Sequence, residues 1–140
     1  MADYAKAASE LKTRVDKIAD QVAFFESVRS NLFTELEKAN SALAYENAPL
    51  IEFKQGWPDG PAIELACGNA TCTVSQDIHA ASIAAVVLGQ AGQTTVTFLI
   101  LPDESPLAAR RVSLTPDIEK KVGPAEIATA FVEALILGAP

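Results

Sequence analysis

Glycine and proline do not occur between Ala2 and Glu46, and across all 140 residues histidine, tryptophan and methionine occur once each. These scarcities exclude a good deal. One histidine and two cysteines cannot complete an ordinary zinc site within one chain, because such a site takes four ligands. No glycine-rich phosphate loop, nucleophile elbow or catalytic-triad spacing is present, and no internal repeat is visible. Nothing in the sequence implies a cofactor or a metal.

Positive charge is also scarce, with 11 basic against 18 acidic side chains and a net charge of -7. Residues 1–46 carry 6 basic and 8 acidic side chains, residues 47–115 carry 3 and 6, and residues 116–140 carry 2 and 4. No segment is basic, which argues against nucleic acid and against anionic membrane surfaces as partners. The longest apolar run, Ile83 to Leu88, falls far short of the roughly 20 residues that span a bilayer. Met1 to Lys6 lacks the basic and apolar regions of a secretory signal, so the expected setting is the cytoplasm, where thiols stay reduced.

What is present is an ordinary globular composition, 49% hydrophobic and 21% charged, on a chain of one-domain length. Residues 1–46 read as one long helix. Tyr4, Ala8, Leu11, Val15, Ile18, Val22, Phe25, Arg29, Leu32, Leu36, Ala39 and Leu43 follow alternating steps of four and three, the a and d positions of a heptad pattern. Arg29 is the one charged residue in that seam, where it either sets the register of a paired helix or snorkels at a bend. Phe24, Val28 and Phe33 widen the stripe in its middle, as packing on a globular body requires. Asn47-Ala48-Pro49 ends it.

A helix of about 40 residues extends roughly 60 Å, whereas a compact body built from the rest has a radius of gyration of about 12–13 Å. The helix is therefore expected to overhang its own domain. Either it pairs with another chain, or it breaks near Ser27–Asn31 and folds back. Pairing is the expectation here.

Residues 47–140 read as an antiparallel sheet plus a C-terminal helix packed on it, making the whole an α+β fold. Strand signals fall on Leu50–Lys54, Ala62–Cys67, Thr71–Ser75, Thr94–Leu101 and Ala109–Leu114. Residues 77–88 fit either a short helix or a strand over Ile83–Leu88, and the Gly89-Gln90-Ala91-Gly92 loop favours the strand. Five or six strands with short links imply a meander. Pro116 and Asp117 read as the opening of a helical tail, with Pro124 in a first helical turn and Gly138 at the end.

Several residues invite a chemical reading. Cys67 and Cys72 would face each other across a hairpin if residues 69 and 70 form its turn, giving a redox pair or half a metal site. The alternative is two small side chains buried in a strand pair, which free cysteine commonly is. His79, with Asp77 two residues earlier, has the composition of an acid/base pair, but no nucleophile is set beside it. Arg110 and Arg111 fit an anionic ligand or acidic partner, or else a cross-strand ion pair with Glu52, Glu64 or Glu104. Trp57, in the turn-rich segment 55–61, is either an exposed contact residue or a lid on the core.

The functional expectation is a non-enzymatic interaction or assembly protein. It would form a homo-oligomer, most simply a dimer, through Leu11, Val15, Ile18, Val22, Phe25, Arg29, Leu32 and Leu36. A second protein is a further expected partner, and Trp57, His79, Arg110 and Arg111 are candidate contacts for it or for a ligand. In layout, small acidic proteins with a helix, an antiparallel sheet and a closing helix resemble the dimeric export chaperones of bacterial secretion systems, which places this reading in a chaperone- or adaptor-like class. The alternative is a small-molecule binder or enzyme with a pocket between sheet and helices, drawing on His79 and Cys67 or Cys72.

Overall fold

The computed structural model describes residues 3–55, 62–90, 92–100, 110–115 and 118–139. The order of elements is α1 (Tyr4–Tyr45), β1 (Ile51–Gln55), β2 (Ala62–Cys67), β3 (Ala70–Asp77), β4 (Ser82–Gly89), β5 (Gly92–Ile100), β6 (Arg110–Thr115), β7 (Ile118–Val122) and α2 (Pro124–Gly138). Each strand pairs antiparallel with the next, so the sheet order is the chain order, β1 to β7. A long helix, an antiparallel meander and a closing helix are the α+β fold that the residue pattern predicts. The sheet has one more strand than expected, because residues 118–122 pair with β6 instead of opening the helical tail.

α1 is a single unbroken helix of 42 residues, and no break occurs near Ser27–Asn31. Its start is held by Asp3, whose side chain accepts the Lys6 N–H at 3.0 Å. Its end is set by Asn47, which adopts the left-handed region at φ 57°. Asn47 N–H then reaches the Ala44 carbonyl at 3.1 Å, and Ala48 N–H reaches Leu43 at 2.8 Å. This paired arrangement satisfies carbonyls that the last turn leaves open, and Asn is one of the few side chains that tolerate the required backbone.

The turn between β2 and β3 is Gly68-Asn69, with Gly68 at φ 60° in its first position. Cys67 therefore faces Ala70, and Cys72 faces Leu65. The thiols share the inner face but are offset by two residues, so the opposed pair expected from a 69–70 turn does not form. Residues 82–89 are strand, which resolves the ambiguous stretch in favour of sheet.

One face of the sheet forms the core. Ile63, Leu65, Cys67, Ala70, Cys72, Val74, Ile83, Ala85, Val87 and Phe98 are buried along it. α2 lies across β2 to β5, and α1 packs on α2 and β1. Ile127, Ala128, Phe131, Val132 and Leu135 are the buried stripe of α2, with the Phe131 ring edge-on to Phe98 at 5.6 Å. From α1 the core takes Phe24, Phe25, Val28, Arg29, Leu32 and Leu36. The outer edges of the sheet are guarded: Lys120 and Lys121 are exposed on β7, and Glu52 and Lys54 form an ion pair at 3.2 Å on β1.

Candidate functional site

The heptad seam of α1 divides in two. From Phe25 onward it belongs to the chain's own core, with Leu32 fully buried and Phe25 and Leu36 nearly so. Before Phe24 it is bare. Every residue from Asp3 to Ala19 is exposed, and the seam side chains Leu11, Val15, Ile18 and Val22 are 55%, 52%, 43% and 38% exposed. These fractions fall steadily toward the body, as they should where a rod leaves a globule. A single interface from Leu11 to Leu36 is thus corrected: Phe25, Arg29, Leu32 and Leu36 are occupied by intrachain packing. Leu11, Val15, Ile18 and Val22 are the part of the seam that the chain itself leaves uncovered.

Arg29 marks the changeover. It is 4% exposed, its guanidinium lies over the Phe25 ring at 5.3 Å, and it reaches Glu26 at 3.8 Å. Its place is inside the body of one chain, within an unbroken helix. Lys12, beside the seam, pairs with Asp16 at 3.3 Å on the helix surface.

The chemically suggestive residues do not converge. His79 is exposed in the turn joining β3 and β4, where the Asp77 carboxylate accepts the Ala80 N–H at 3.1 Å. Cys72 lies near the opposite end of β3, about 20 Å away along the strand. Both thiols are buried and unbridged. Burial raises the Cys67 thiol pKa and pushes that of Cys72 up to about 12, the reverse of what a nucleophile or metal ligand needs. Among the described residues no cluster of His, Cys, Asp and Glu is placed to hold a metal ion. A depression of about 290 Å³ lies between the β4–β5 hairpin and the end of α2. It is lined by Val87, Gly89, Gly92, Thr94, Ala134, Leu137 and Gly138, and neither His79 nor a thiol contributes to it.

Arg110 and Arg111 stand on β6, in register with Val122 and Lys121 of β7. The strand order sets β6 four strands from β2 and five from β1. At about 4.8 Å per strand, β6 lies about 19 Å from β2, which carries Glu64, and about 24 Å from β1, which carries Glu52, counted across the sheet. Glu104 and Trp57 lie outside the described residues.

No described helix is long and apolar enough to cross a membrane. No protein family, curated protein or solved structure matches this chain.

Proposed function

We propose that this is a non-enzymatic assembly protein, chaperone- or adaptor-like, that forms a homo-oligomer through the exposed N-terminal half of α1. One observation carries the reading: four large apolar side chains at heptad spacing, Leu11, Val15, Ile18 and Val22, stand in solvent on a helix whose continuation is core. Exposed apolar stripes of that regularity are the surface from which paired helices are built. An isolated helical stretch of this length is marginal in water, so a partner also supplies the stability that the bare turns lack. The setting that goes with this reading is cytoplasmic.

The test is light scattering on the purified protein and on the Ile18→Asp/Val22→Asp variant. Both side chains are solvent-accessible in the single chain, so the variant should keep its fold by circular dichroism and drop to monomer mass. A variant that stays folded with unchanged mass overturns the proposal.

A further inference from the structure

We draw no further inference here: the strongest candidate, the bare apolar stripe of Leu11, Val15, Ile18 and Val22 on the N-terminal half of α1, belongs to the site already described, and nothing in the structure shows what covers it.

Discussion

Asn40 makes two hydrogen bonds that no other side chain on α1 repeats among the described residues. Its amide donates to the Ile51 carbonyl at 3.1 Å, and its oxygen accepts the Ile51 N–H at 2.7 Å. A side-chain amide has the same donor and acceptor as a peptide group, so Asn40 meets the edge strand as a neighbouring strand would. Replacing it by Ala leaves both backbone groups half-buried without that partner. Asn40→Ala should cost about 1–3 kcal/mol, read as a lower urea midpoint with an unchanged slope.

Cys72 gives the second residue-scale expectation. In the unfolded chain its thiol ionises at an ordinary value near 9.0, and in the fold at about 12. Between those values the folded chain keeps a proton that the unfolded chain has lost. Stability is thus fully present below about pH 9 and falls as pH rises toward 12, by up to about 1.4 kcal/mol per pH unit. Urea midpoints measured across this window should decline more steeply for the wild type than for Cys72→Ala. Equal slopes would remove the thiol as the cause.

Among the elements, α1 is the most legible in sequence. Its lack of Gly and Pro, its unbroken heptad steps and the Asn47 stop all act locally, and local signals survive in the fold. Which half of the seam is bare is a different matter, because burial of Phe25, Leu32 and Leu36 depends on where α2 comes to rest. β7 was obscured for a related reason. Pro116 and Asp117 are good helix openers, and Glu119, Lys120 and Lys121 are good helix formers, so local preference points to helix. Pairing with β6 overrides it, since strand preference is largely a matter of the neighbour supplied.

A close approach between two elements is also invisible in sequence. Gly89 at the end of β4 lies against the Gly138 carbonyl at the end of α2, and a methyl group at residue 89 would overlap it. Gly89→Ala should therefore destabilise by about 1–3 kcal/mol, with the end of α2 displaced from the sheet. Thermal melts would show the loss, and an unchanged melt would mean that the helix end yields freely.

At the scale of the whole molecule, the proposed self-association would tie stability to concentration. Binding that occurs only between folded chains raises the melting temperature as protein is added. The wild type should melt higher at high concentration, and the Ile18→Asp/Val22→Asp variant should not. Each copy carries a net charge of -7, so moderate salt should tighten the proposed association by screening. Sedimentation at low and physiological ionic strength reads this directly; weaker association at higher salt would contradict it.

The Asn40 amide also governs something far from itself. A helix advances about 100° around its axis with each residue, so moving that amide by one position would roll the entire rod by that angle. Leu11 sits about 43 Å further along the same rod. By keying the shaft to the edge of the sheet, one asparagine fixes the compass bearing of the distant greasy stripe, and with it the direction from which anything can meet it.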